Sequence, residues 1–297
     1  MSKRFALIGP GRVGSAITRA LFENGYQPVA VIGRSLHPTR EACTFIGCDI
    51  SLATTDLHAA NAADLLLLAV PDDQIAAVAG QLQRIANPDR GTVLIHISGV
   101  HAAAVMRQPK TGMLLFSVHP LLPFADRRQA FERLHLAPYI GEGDEAAYPQ
   151  AAALCAALGG RLESIPTAMK PRYHAAACLA ANYFVTLMAE AANLLRQCGI
   201  EHSRAETLML PLLQSTLDNV TACGTRQGLT GPIVRGDIGT LSAHLLALQQ
   251  QPELRDLYCR LGCRTALLAQ DSGRLKSDSA AAIISLLEQN STYHDGK

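Results

Sequence analysis

The sequence predicts an α/β N-terminal half, a doubly wound parallel sheet, followed by an all-α C-terminal domain. Three observations predict it. An apolar run, Phe5-Ala6-Leu7-Ile8, feeds directly into Gly9-Pro10-Gly11-Arg12-Val13-Gly14 and then into an Ala/Leu stretch. Short apolar runs then alternate with helical stretches to about residue 165, the pattern of a parallel sheet covered by helices on both faces. Beyond Pro171 the pattern is helical throughout, without a convincing strand. Pro166 and Pro171 bracket the change, so the expected domains are 1–166 and 167–297.

Each element follows in order. The second strand is expected at 28–32 and a helix at 38–46. Residues 64–70, Asp-Leu-Leu-Leu-Leu-Ala-Val, are apolar without alternation and end at Pro71, as in a central strand buried on both faces. Asp72 or Asp73 is placed to cap a helix reaching Arg84. Strands follow at 92–97 and 112–118, then a helix at 145–158 and an edge strand at 160–165. The helical half reads as helices over 173–198, 203–222, 239–250, 252–270 and 278–288, with Pro211 kinking the second. Residues 224–237 form an irregular loop containing Leu229-Thr230-Gly231-Pro232-Ile233-Val234-Arg235-Gly236-Asp237. Loops of that kind often carry function.

The glycine turn has the spacing Gly-x-Gly-x-x-Gly in a strand–turn–helix context, the fingerprint of a Rossmann dinucleotide-binding domain. Gly9 permits the tight turn, Gly11 leaves the backbone open to a pyrophosphate, and Gly14 lets helix and sheet pack closely. The helix N-terminus adds free N–H groups and a positive dipole end. The end of the second strand selects the dinucleotide. NAD enzymes place an acid there for the ribose hydroxyls. This chain has Gly33-Arg34-Ser35, a guanidinium and a hydroxyl suited to a 2′-phosphate, with Arg12 and Arg40 adding charge. NADP is therefore the expected cofactor. Its expected contacts are Gly9, Pro10, Gly11, Arg12, Val13, Gly14, Arg34, Ser35, Val70 and Pro71. Arg34 as a solvated loop arginine is the competing reading.

Composition narrows the function classes. The 297 residues carry a formal charge of +1, no tryptophan and 5% aromatics. Neither a general attraction to nucleic acid nor base-stacking platforms are expected. The chain has no run of about 18 uninterrupted apolar residues, so no membrane span is expected. With strand beginning at the fifth residue, no room for a signal peptide is expected either. The eight cysteines are scattered without a Cys-x-x-Cys pair. Reduced thiols in a cytoplasmic protein are expected, and no metal site.

Ligands on such sheets bind beyond the carboxyl ends of the strands. Ser98-Gly99 and His119-Pro120 occupy such ends. Histidine suits proton transfer beside a hydride, because its unperturbed pKa is about 6.5. His119 is the expected general acid/base and Ser98 its assistant. A loop histidine bonded to backbone is the alternative. His174, Cys178 and Asn182, spaced i, i+4 and i+8, share a helix face. His174 and Asn182 are expected to position substrate or nicotinamide, or else simply to pack helices. Arg235 is expected to clamp a substrate carboxylate, unless it only pairs with Asp237. The apolar stripes of the helical half predict a homodimer.

These residues carry a resemblance. The N-terminal half resembles the wider superfamily of pyrroline-5-carboxylate reductase, ketopantoate reductase, 6-phosphogluconate dehydrogenase and prephenate dehydrogenase. More narrowly, Tyr173-His174-Ala175-Ala176-Ala177, Ala181-Asn182-Tyr183, Pro211-Leu212 and the 229–237 loop resemble an uncharacterised family. Its members join a Rossmann-like NADP-binding domain to a helical C-terminal domain of unknown function. The resemblance spans essentially the whole chain and implies the fold and an oxidoreductase class, without a substrate. Ser98 and His119 also resemble, in order and context, the serine and His-Pro of prephenate dehydrogenases. Here, however, Leu121-Leu122-Pro123 replaces the following glycine, and His174-Ala175 replaces their His-Asp. Hydroxyacid dehydrogenases of the superfamily use Lys and Asn four residues apart at the start of the helical domain. Here Lys170 is followed at that spacing by His174. The expected function is an NADP(H)-dependent oxidoreductase moving a hydride to or from a small polar, carboxylate-bearing hydroxy acid, keto acid or imine. The alternative is a non-catalytic NADP(H)-binding sensor.

Overall fold

The computed structural model describes residues 4–85, 91–109 and 112–291. It divides into two compact units, 1–183 and 184–297. The division falls after the first helix beyond Pro166 rather than at Pro166 itself, and a buried lysine described below gives the reason.

In the first unit β1 (Arg4–Ile8), α1 (Arg12–Glu23) and β2 (Gln27–Ile32) form the expected strand–helix–strand opening. They are followed by α2 (Leu36–Ile46), a two-residue β3 (Ala53–Thr54), β4 (Leu65–Leu68), α3 (Ile75–Ile85) and β5 (Val93–His96). The unit continues through β6 (Leu114–Pro120), α4 (Arg127–Arg133), β7 (Tyr139–Gly143), α5 (Tyr148–Ala157), β8 (Leu162–Ser164) and α6 (Lys170–Ala180). The strand order is β3-β2-β1-β4-β5-β6-β7-β8. Chain direction reverses its outward progress between β1 and β4, which places the crevice for a ligand at their carboxyl ends. β4 is buried along its whole length, because both faces of the sheet are covered. One apolar cluster joins Phe5, Leu7, Ile17, Leu67 and Ile95. Ala6, Ile8, Leu66, Leu68 and Leu94 belong to the cluster on the opposite face.

The sequence did not suggest β7. It pairs antiparallel with β6, with His119 opposite Ile140 and Pro120 opposite Tyr139. Its Tyr-Ile-Gly-Glu-Gly sequence has few strand formers. Gly141 is there because a Cβ would lie 2.9 Å from the Phe116 ring and closer still to the Ser117 carbonyl. Pairing with β7 extends β6 through His119-Pro120, so His119 lies within a strand rather than in a loop.

The second unit contains most of α7 (Asn182–Gln197), then α8 (His202–Gly228), α9 (Ile238–Ala247), α10 (Pro252–Asp271) and α11 (Ser277–Asn290). Helical dihedrals break at Gly224, where φ is 74°, and not at Pro211. Ile233, Leu241, Leu245, Ala266, Ile283 and Leu287 make a core among α9, α10, α11 and the preceding turn. By contrast, α7 buries only Ala192. Among the described residues of α8, only Ala205 and Gly228 are buried. Within residues 167–197 an 18-residue window reaches a mean hydropathy of 1.4, and the stretch is long and apolar enough to cross a membrane by length and composition. That stretch is two helices, separated where Ala181 departs to φ −116° and ψ −61°.

Candidate active site

The glycine turn has the geometry its residue types require. Gly9 sits at φ +89°, and its N–H donates to the Ile32 carbonyl (2.9 Å). A Cβ on Gly14 would lie 2.7 Å from the Gly9 carbonyl and 2.8 Å from Ala69 Cβ. A Cβ on Gly11 would meet nothing within 4 Å. Gly11 thus borders open space at the N-terminus of α1, where a phosphate can approach backbone N–H groups. Pro10 and Val13 flank that opening. Arg12 is exposed and donates to the Ala125 carbonyl (3.2 Å). Half-buried Val70 and exposed Pro71 follow β4, and Arg34 and Ser35 are exposed at the end of β2. Ser35 is the N-cap of α2, its carbonyl accepting from Thr39 Oγ1 (2.7 Å). The residues present therefore fit a dinucleotide along the strand ends, with a guanidinium where an NAD enzyme has an acid.

A polar cluster gathers at the ends of β5 and β6. His119 Nδ1 is 2.8 Å from the Tyr173 hydroxyl, and the His119 and His174 ring centroids are 5.9 Å apart. Gly99 faces both rings. A Cβ there would lie 3.0 Å from His119 Nε2 and from His174 Nε2, and would collide with the His174 ring. Only glycine lets the β5 end pass beneath both imidazoles. His174 Nδ1 lies 4.0 Å from Cys178 Sγ. Burial, reinforced by the charges of Lys170 and His174, lowers the His119 pKa to about 4. Burial raises that of Tyr173 to about 12. At neutral pH both groups are uncharged.

Beneath them Lys170, at the start of α6, is fully buried. Its Nζ donates to the Ser98 carbonyl (2.8 Å) and to Ser117 Oγ (2.6 Å). Burial lowers its pKa to about 8, and the negative charges of Glu142 and Asp72 oppose that shift. Glu142 is itself buried, accepting from the Ala103 N–H and the Thr167 hydroxyl (both 2.7 Å). These bonds tie α6 and the turn before it to the sheet, which is why the first compact unit extends past Pro166.

Of the residues singled out in the sequence, His119, Ser98 and His174 come together in this cluster. Ser98 Oγ accepts from the His101 N–H (3.1 Å), shaping the turn after β5, while its carbonyl receives Lys170. The break at Ala181 interrupts the expected stripe: His174 and Cys178 stay adjacent, while Asn182 opens α7 and is exposed. Arg235 lies in the second unit, exposed in the turn before α9. Asp237 caps α9 by accepting from Thr240 N–H and Oγ1, and these bonds hold its pKa down, with Arg235 adding to the effect. The sequence reading missed Lys170, Ser117, Tyr173 and Glu142 as a group. The available signal was Lys170 itself, standing where hydroxyacid dehydrogenases begin their Lys/Asn pair.

Family models assign both regions that build this cluster. Residues 3–120 match a Rossmann-like domain, and residues 137–265 match a domain of unknown function, DUF2520. The chain thus joins a Rossmann-like region to a region that matches DUF2520. The glycine turn and His119 lie in the Rossmann-like match; Lys170, Tyr173 and His174 lie in the DUF2520 match. No curated protein matches the sequence. Among solved structures, a provisionally assigned NADP oxidoreductase from Bacteroides fragilis is similar, at TM-score 0.69 and 22% identity, covering 91% of this chain and 97% of the other. Protein TM1727 from Thermotoga maritima aligns at TM-score 0.65 and 22% identity, covering 96% and 99%. A pyrroline carboxylate reductase from Plasmodium falciparum, with NADP bound, aligns at TM-score 0.58 and 11% identity, covering 95% and 98%. At these identities the likeness establishes the shared fold.

Acid titration of the cluster has a definite sign. His96, fully buried on β5, accepts the Ser98 N–H at Nδ1 (3.1 Å), and burial is the first cause lowering its pKa from 6.5 to about 4. Between those values the unfolded chain binds a proton that the folded chain refuses, so stability falls as pH falls from 6.5 towards 4. The expected loss from His96 is about 3 kcal/mol at most. Urea unfolding between pH 7.5 and 4.5 should show this loss on top of that from His119, whose pKa is lowered likewise, and His96→Gln should remove the His96 share. An equal loss in the variant would remove His96 as its source.

Proposed function

We propose that this protein is an NADP(H)-dependent oxidoreductase acting on a small polar, carboxylate-bearing hydroxy acid, keto acid or imine. The observation carrying this reading is the uncharged His119, held by Tyr173 beside His174 at a strand end of the nucleotide-binding sheet. The similar structures include a pyrroline carboxylate reductase with NADP bound, which supports the cofactor assignment by analogy. A nicotinamide cofactor, when bound along the strand ends, would supply or accept the hydride. The chain's own residues manage the proton. When a hydroxyl is oxidised, His119 with its proton on Nδ1 donates to Tyr173 and takes the substrate proton at Nε2. In reduction the same step runs backwards: His119, protonated at both nitrogens, gives its Nε2 proton to the substrate oxygen or nitrogen and keeps its Nδ1–H on the Tyr173 hydroxyl. Lys170 acts as a positioning residue, fixing the strand ends beneath the rings and holding His119 neutral. His174 orients the substrate. Ser98 is assigned to the turn beneath it, and Asn182 to the nicotinamide side.

Arg34 and Ser35 are assigned to the 2′-phosphate. NADPH is expected to bind more tightly than NADH, and Arg34→Ala to weaken NADPH by about 1–3 kcal/mol with little change for NADH, the scale of a charged hydrogen bond. Calorimetric titration of both nucleotides measures this, and equal wild-type affinities would remove the assignment. The exposed apolar side chains of α7 and α8 support a homodimer formed through the helical unit. All eight cysteines are free thiols, which supports a cytoplasmic setting.

A further inference from the structure

The C-terminus of α2 closes on two cysteines. Gly47 stands at φ +86°, and both its N–H (2.9 Å) and that of Cys48 (3.1 Å) donate to the Cys43 carbonyl. The longer-range bond is that of a Schellman cap, a motif that brings the residue after the left-handed glycine against the one four before it. An apolar pair usually fills that contact. Here it is Cys43 against Cys48. The Cys48 thiol leans back to 3.8 Å from the Cys43 carbonyl, and the two thiols lie within hydrogen-bonding reach of each other. Cys43 is fully buried in the core of the first unit, whereas Cys48 packs against that core and remains partly accessible. The arrangement pairs an attackable sulfur with a sheltered partner. Their hydrogen bond lowers the Cys48 pKa and raises that of Cys43, so the accessible thiol is the more acidic one.

We propose that Cys43 and Cys48 form a reversible oxidation site at which a hydroperoxide closes an intrachain disulfide. The Cys48 thiolate attacks the hydroperoxide; an S–O bond forms, the O–O bond breaks, and an alcohol or water departs. The Cys43 sulfur then attacks Cys48 Sγ; the S–S bond forms, the S–O bond breaks, and water leaves with the Cys43 proton. The two thiols supply the two electrons that reduce the peroxide. A dithiol reductant reverses the bond by exchange. This inference is independent of the hydride-transfer reading, because neither sulfur belongs to the cluster at His119.

The test is direct, because both cysteines lie on one tryptic peptide, 41–84, that contains no other cysteine. The native full-length protein is treated with hydrogen peroxide, alkylated after denaturation and digested. The expected product is peptide 41–84 without alkyl groups and about 2 Da lighter than its dithiol form. Dithiothreitol before alkylation should restore two alkylated sites. Cys43→Ser should leave Cys48 oxidised to sulfenic or sulfinic acid without the mass loss. A peptide 41–84 that stays doubly alkylated, or Cys48 over-oxidised while Cys43 remains alkylatable in the wild type, would overturn the proposal.

Discussion

His119→Asn is expected to lower turnover by about 10²–10⁴, the usual cost of losing a general acid/base. Asparagine retains a hydrogen-bonding side chain of similar reach but exchanges no proton at neutral pH. NADPH affinity should be unchanged, because the phosphate contacts are assigned to the glycine turn and to Arg34, away from His119. The pH profile supplies the sharper readout. With the His119 pKa near 4 in the free protein, a base-limited rate should hold from neutral pH down to about pH 5 and fall below it. Tyr173→Phe should shift that limb, since the imidazole loses its partner at Nδ1, and should leave NADPH binding intact. Steady-state oxidation of candidate hydroxy acids by NADP measures both variants. Full activity in His119→Asn would end the acid/base assignment.

Replacing Leu210 and Leu217 together by Asp is expected to disrupt the proposed homodimer. The two residues are 52% and 59% exposed, and they lie two turns apart on one face of α8. A helix of 27 residues that buries almost nothing has little tertiary packing to hold it, and most helical stability in proteins comes from packing. Val185 and Leu187 on α7 and Leu212 on α8 are also exposed. A second copy laid against these faces would bury them. Light scattering on the wild type should give twice the chain mass at micromolar concentration. The doubly substituted protein should shift to monomer, or lose helical signal at the same concentration, while the sheet unit still binds NADPH. A strict wild-type monomer would overturn the homodimer.

Lys170 shows how far local sequence reading reaches and where it stops. Its position at the start of a helix is legible from Pro171 and the Ala-rich run that follows. Its burial is not, because a lysine four residues before a histidine reads as an exposed helix face until strands β5 and β6 are placed beside it. Then its ammonium finds the Ser98 carbonyl and the Ser117 hydroxyl, groups 72 and 53 residues away in the chain. Tyr173 was legible as part of a family pattern, but its bond to His119 spans 54 residues and needs the same assembly.

The amino-acid sequence by itself determined the Rossmann-like half. Glycine spacing, an unalternating apolar strand and the helix after the turn are local features, and each constrains its own few residues through backbone sterics and the two-residue or 3.6-residue period. It likewise determined the helical half, through the long Ala/Leu stretches, and the residue types that end each strand. Only the tertiary structure decided three other things. It inserted the antiparallel β7, whose weak local propensity is outweighed by pairing with β6. It broke the expected stripe at Ala181, leaving Asn182 on another helix. It also drew a lysine, a buried glutamate and two histidines around the ends of β5 and β6. Charges and imidazoles take their protonation states from burial and from neighbours distant in sequence. That is why the fold was legible residue by residue, while the chemistry of the cluster depended on the assembled sheet.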